Sequence, residues 1–229
     1  MSVSRETVLG SLQVQRLLEA LAAEPDPHTT VADPEAALEV HVADSLSGLE
    51  VPELSSARRI ADIGAGAGFP GLVLAIALPR AEVDLIESVG RKTAVTDRLI
   101  QAAELGNARS VRARVEDYAR VPAALGGGGE AYDAVTARAL GPLAVLVEYA
   151  APLLREGGVL VAWKGARDAA EEGAGAAAAE KVGMAVKEVV PVQPYPASEN
   201  RHLHVFRKIS PTPPGFPRRA GMARKRPLA

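Results

Sequence analysis

From residue 57 onward, short apolar runs alternate with helix-length segments, and this alternation constrains the fold more than any other feature of the chain. Strands are expected at Arg59–Ile63, Glu82–Glu87, Ser110–Arg114, Tyr132–Ala137, Val159–Trp163, Glu188–Val192 and Leu203–Arg207, with helices over 70–78, 91–105, 142–154 and 167–182. Repeated strand–helix alternation predicts a mostly parallel, doubly wound α/β sheet covered on both faces. Right-handed crossovers then put the carboxyl ends of the early strands along one edge, where ligands bind. Ahead of this region, residues 5–23 carry Val8, Leu12, Leu17, Leu18 and Leu21 at helical spacing. Pro25 and Pro27 end that helix, and Asp33-Pro34 reads as an N-cap with proline at the first helical position of a second one through Leu38, Val42 and Leu46.

The string DIGAGAG (62–68) sits where the first strand should turn into a helix. Glycine allows a sharp bend there and admits a ligand that a Cβ would block. The spacing of Gly64, Gly66 and Gly68 is GxGxG, not the GxGxxG of dinucleotide-binding turns, and no Lys-Ser/Thr pair follows as in a phosphate-binding P-loop. Glu87, 23 residues after Gly64, falls at the tip of the second strand, where an acid can accept from both ribose hydroxyls. The third strand leads into Val115 and Glu116, flanking the place of an adenine ring. Read singly, the glycines could be a structural turn and Glu87 a solvated acid; together they favour an adenosine-containing ligand. Asp62 has two readings, one holding the loop amides and one reaching the ligand. A nicotinamide-dependent dehydrogenase shares the first two elements but lacks its glycine spacing and a hydride-transfer pair here.

Several strings extend well beyond that turn: HVADSL (41–46), DIGAGAGFPGLVLAIALP (62–79), LIESVGRKTA (85–94), RVEDY (114–118), YDAVTARAL (132–140), VAWKG (161–165) and RHLHVFRK (201–208). In order and spacing they resemble the bacterial 16S ribosomal RNA guanine-N7 methyltransferases, the glucose-inhibited division protein B family. That resemblance implies a seven-stranded class I, Rossmann-like methyltransferase sheet with N-terminal helices: an extension over 1–50, the methyltransferase domain over 51–209 and a basic Pro-rich tail over 210–229. It implies S-adenosylmethionine as cofactor, bound by Gly64, Gly66, Phe69, Glu87, Val115, Glu116 and Arg138. Arg138, Lys164 and Arg201 would serve the target base, the RNA or the transferring methyl, and His41 and Asp44 match an HxxDS motif. The chain departs from the family where a Trp-Asn pair and an Asn-Leu-Thr segment are usual; Pro27-His28-Thr29-Thr30 stands there, and Val40 replaces a common Arg.

Charge adds a partner. From Arg201 to the end there are eight Lys/Arg and no acid, whereas the first 200 residues hold 18 basic and all 28 acidic groups. Such asymmetry suits a polyanion, here 16S rRNA or the small ribosomal subunit, although a basic tail can also be merely solubilising. The Pro- and Arg-rich string after Ile209 is expected to be extended, or ordered only on binding. The chain contains no cysteine, which excludes disulfides and a cytosine carbon-5 methylation that needs a catalytic thiol. No metal spacing, signal peptide or membrane span is read, and a cytoplasmic monomer is expected. Guanine N7 needs no deprotonation, so no general base is assigned. Arg138 is the candidate for orienting substrate, with a structural ion pair as its alternative, and Trp163 is expected in the core. A different acceptor on the same fold, or a non-catalytic RNA-binding relative, remains the alternative.

Overall fold

The computed structural model describes residues 4–229; the first three residues of the expected N-terminal extension lie outside them. Five short helices precede the sheet: α1 (Arg5–Leu9), α2 (Leu12–Ala23), α3 (Pro34–Ala37), α4 (Asp44–Leu46) and α5 (Pro52–Ser55), with a π-helical stretch, Leu38–Ala43, between α3 and α4. The single helix expected over 5–23 is two, because Ser11 caps a new helix by accepting from the Val14 amide at 3.2 Å. Asp33 caps α3 as expected, through the Ala36 amide at 3.0 Å.

The strands are β1 (Arg59–Ile63), β2 (Glu82–Glu87), β3 (Ala108–Arg112), β4 (Tyr132–Arg138), β5 (Leu154–Lys164), β6 (Met184–Val192) and β7 (Arg201–Lys208). The intervening helices are α6 (Gly71–Ala77), α7 (Gly90–Ala102), α8 (Val115–Arg120), α9 (Leu143–Ala150) and α10 (Ala169–Lys181), and α11 (Met222–Lys225) follows the sheet. All seven strands form one sheet in the order β3-β2-β1-β4-β5-β7-β6. β7 runs antiparallel to both neighbours, and the pairs among β1 to β5 are parallel. β3 begins two residues earlier than its apolar run suggested. The winding direction reverses between β1 and β4, which opens a crevice beyond their carboxyl ends.

Alternation along the strands divides the core in two. Ile60, Val159, Val161 and Trp163 face a cluster with α2, α6 and α7, whereas Ala61, Ile63, Leu160 and Ala162 face one with α9 and α10. Trp163 is core, as expected, and its indole N–H donates to the Asp44 carbonyl at 2.9 Å. That bond ties the N-terminal helices to the centre of the sheet.

The C-terminal segment contradicts the expected extended tail. Ala223 is 1% exposed, and Phe216 and Leu228 pack on the α9 side of the core. The reason is a specific partner: Glu148, on the otherwise apolar α9, is 3% exposed and takes both guanidinium donors of Arg218 at 2.6 and 2.5 Å. Burying that acid requires a cation, and the tail supplies it.

Candidate functional site

Two adjoining cavities open at the carboxyl ends of β1, β2 and β4. The first, about 300 Å³, is lined by Glu87 and Ser88 at the tip of β2, by Val115 and Glu116 after β3, and by Tyr149 of α9. The second, about 370 Å³, is lined by Thr29, His41 and Asp44 of the N-terminal extension, by Phe69 of the glycine loop, and by Arg138 and Arg201. Gly64, Lys92 and Ala139 line both, so the cavities meet over the tip of β1.

The turn after β1 is built for close approach. Gly64 has φ +65°, and a Cβ there would lie 2.3 Å from a Leu140 methyl. Glu87 straddles the loop: one carboxylate oxygen accepts from the Gly66 amide at 3.3 Å and the other from Val89 at 2.9 Å. Asp62 resolves to its loop-holding reading. Fully buried, it accepts from the Gly71 amide at 3.0 Å and the Thr136 hydroxyl at 2.9 Å. Burial pushes its carboxyl up to about 6 against those two bonds.

The second cavity has an arginine at its centre. Arg138 donates to Asp44 Oδ2 at 2.8 Å, to the Val40 carbonyl at 3.2 Å and to His41 Nδ1 at 3.1 Å, with its guanidinium 5.7 Å from the Phe69 ring centre. The π-turn makes this possible. The Asp44 amide reaches back five residues to Glu39, leaving the Val40 carbonyl, its usual helical acceptor, to Arg138. His41 stacks on Phe69 at 4.6 Å, and since Arg138 can only donate, His41 Nδ1 must accept. Its Nε2–H then points to the Val31 carbonyl at 3.0 Å, with the Thr29 hydroxyl at 2.9 Å. Burial, then the neighbouring Arg138 charge, lowers the His41 pKa to about 4, so the ring is neutral. Asp44 is 2% exposed, its Oδ1 has no hydrogen-bond partner, and Arg201 stands 3.9 Å from that oxygen.

Of the residues expected from sequence, Glu87, Val115 and Glu116 gather in the first cavity, and Gly66, Phe69, Arg138 and Arg201 in the second. Gly64 serves both. Lys164 lines neither cavity; its ammonium meets Glu171 of α10 at 2.6 Å and the Gly141 carbonyl at 3.4 Å. Lys92, Tyr149, Gly221 and Arg224 line the cavities and were not anticipated. Lys92 had a signal, since it lies in the string that follows Glu87. Ala139, at φ +55°, lies likewise in the string YDAVTARAL.

A family profile described as rRNA small subunit methyltransferase G matches residues 16–203. Proteins named ribosomal RNA small subunit methyltransferase G resemble the chain closely. The one from Chloroflexus aggregans is 42% identical over 219 residues, covering 94% of this chain and 89% of its own. That from Desulfitobacterium hafniense is 38% identical over 200 residues, 87% and 81% of the two chains. Among solved structures, an S-adenosylmethionine-dependent O-methyltransferase from Thermotoga maritima superposes with a TM-score of 0.57 at 14% identity, over 86% of this chain and 72% of that one. Aeropyrum pernix fibrillarin, solved with natively bound S-adenosylmethionine, gives 0.54 at 18% identity over 72% of each. These structural likenesses establish the fold.

Proposed function

Because the chain belongs to the rRNA small subunit methyltransferase G family, we propose that it moves the methyl group of S-adenosylmethionine to N7 of a guanine in 16S rRNA. The observation that carries this reading is the junction of the two cavities at Gly64. We read the first, with Glu87, Val115 and Glu116 in its lining, as the place of an adenosine, and the second, with Arg138, Arg201 and Phe69, as that of a base. The residues present fit the cofactor: Glu87 is at the tip of β2 for the ribose, Val115 and Glu116 flank the adenine side, and the bare Cα of Gly64 lets Leu140 pack against a turn that lines both cavities. When bound, S-adenosylmethionine supplies an electrophilic methyl carbon on a sulfonium.

The protein's own share is alignment. N7 offers a lone pair in the plane of the ring, so no proton has to leave before attack. Holding the two reactants in line can lower such a barrier by about 7–11 kcal/mol in favourable cases. His41 agrees with a reaction that needs no base, since its Nδ1 lone pair is committed to Arg138. Arg138 is fixed by three acceptors and can orient a guanine O6 or a phosphate without reorganising. Phe69 and its stacked partner His41 offer a planar apolar surface. Lys92 and Arg201 border the second cavity and suit the polyanion. Lys164 plays no part in this mechanism. Among the described residues no cluster of metal ligands is found, and no helix is long and apolar enough to cross a membrane. We take the working form to be a cytoplasmic monomer acting on the RNA or the small subunit.

Labelled methyl transfer to 16S rRNA or 30S particles from a strain lacking the modification tests this, with mass mapping of the product. Incorporation at one guanine is expected. Folded, cofactor-bound protein that labels neither substrate would reject the acceptor.

A further inference from the structure

The C-terminal segment enters the first cavity. Gly221 and Arg224 line it together with Glu87 and Val115, and three contacts hold them there. Arg218 grips Glu148 with two donors and also donates to the Arg226 carbonyl at 2.8 Å, which closes the segment on itself. Arg224 donates to the Leu140 carbonyl at 2.9 Å. The Gly221 amide, in a left-handed turn at φ +83°, donates to Glu116 Oε1 at 2.7 Å. Glu116 is 6% exposed, so this bond fixes the rotation of a buried carboxylate that itself lines the cavity. Without the segment, the cavity would lose two lining residues and Glu116 would lose a partner.

From this geometry we propose that Phe216–Arg226 is the outer wall of the cofactor site: the adenosine end of the methyl donor binds against Gly221 and Arg224, and cofactor binding and docking of the segment promote each other. The inference rests on the first cavity being the cofactor's. It gives the basic tail a small-molecule role in place of the polyanion contact that its charge suggested. Linkage makes the coupling reciprocal: a segment that completes the site must itself be held more firmly when the site is filled.

The full-length chain tests this through calorimetry with S-adenosylmethionine and through limited trypsin digestion with and without it. Saturating cofactor should slow cleavage after Arg219, Arg224 and Lys225 by about tenfold. Arg218→Ala should weaken cofactor binding by about tenfold, and Arg224→Ala less. Arg224 is exposed, so its variant keeps the test alive should Arg218→Ala unfold. If the wild type binds the cofactor while cleavage ignores it and Arg224→Ala binds equally well, the proposal is overturned. It is also overturned if the variants lose RNA affinity alone, which would place the segment on the RNA surface. A wild type that ignores the cofactor overturns the reading of the cavity and this inference with it.

Discussion

The N-terminal extension and the C-terminal segment both fold back over the sheet, and each brings a buried carboxylate and an arginine together, with opposite polarity. In the first, the extension brings the acid, Asp44, to an arginine of β4. In the second, the segment brings Arg218 to an acid of α9. The pairs differ in completeness. Both Glu148 oxygens are engaged, whereas Asp44 leaves one oxygen without a partner beside Arg201, within the cavity proposed for the base. A shared sheet thus carries two differently finished walls, one saturated against the cavity proposed for the cofactor and one with hydrogen-bonding capacity in hand. The sheet supplies the floor common to both, and the added segments distinguish them.

The largest effect should come from that floor. Gly64→Val places a branched side chain at φ +65° with its Cβ 2.3 Å from Leu140, at a turn that lines both cavities. Cofactor binding should fall by more than about 100-fold, or roughly 3 kcal/mol, with some loss of stability from the clash itself. Calorimetry at matched folded fraction measures it. Unchanged affinity would mean that the two cavities do not share a ligand-bearing floor.

Next come the two fastenings, taken in parallel. Asp44→Ala leaves Arg138 mostly buried without its acid, and breaking a buried pair from one side costs about 3 kcal/mol or more. Glu148→Gln keeps the shape and one acceptor oxygen, so its cost should be about 1–2 kcal/mol. Urea unfolding ranks them. Asp44→Ala should spare cofactor affinity and abolish methyl transfer, whereas Glu148→Gln should weaken the cofactor first. Should both variants damage the same step equally, the division of labour between the walls is wrong.

How much of this was legible depended on how local the cause was. The strand pattern, the bend at Gly64 and the acid at Glu87 come from residues adjacent in the chain, and they sit where their spacing put them. Trp163 could be assigned to the core because it interrupts an apolar strand. The π-turn that frees the Val40 carbonyl left no such mark, since its partner Arg138 is 98 residues away. The tail misled because composition reports average behaviour while a single long-range pair decides the outcome: Arg218 and Glu148 are separated by 70 residues. A clue existed in Glu148, a lone acid within the apolar run LAVLVEYA, which called for a cation from elsewhere. Lys164 shows the converse, its charge being met by Glu171 only seven residues on.

Acidification should act on one wall only, because His41 belongs to the N-terminal fastening and residues 210–229 contain no histidine. The His41 pKa is lowered from 6.5 to about 4, so the unfolded chain takes up its proton first as pH falls. Stability from His41 is therefore fully present above about 6.5 and drains away toward 4. Asp62 works in the opposite sense. Raised from 3.8 to about 6, it is protonated first in the folded chain, and the strain of burying its charge is relieved over nearly the same interval. Between pH 6.5 and 5 the two nearly cancel, so wild-type unfolding free energy should change by no more than about 1 kcal/mol through them. Asp62→Asn can keep both hydrogen bonds, through its oxygen to Gly71 and its amide to Thr136, while losing the opposing titration. Its stability should fall by about 1–2 kcal/mol over that range, above the range in which the ion-paired carboxylates titrate. A flat profile for Asp62→Asn in urea unfolding over that range would show that His41 is not the buried neutral acceptor that holds Arg138.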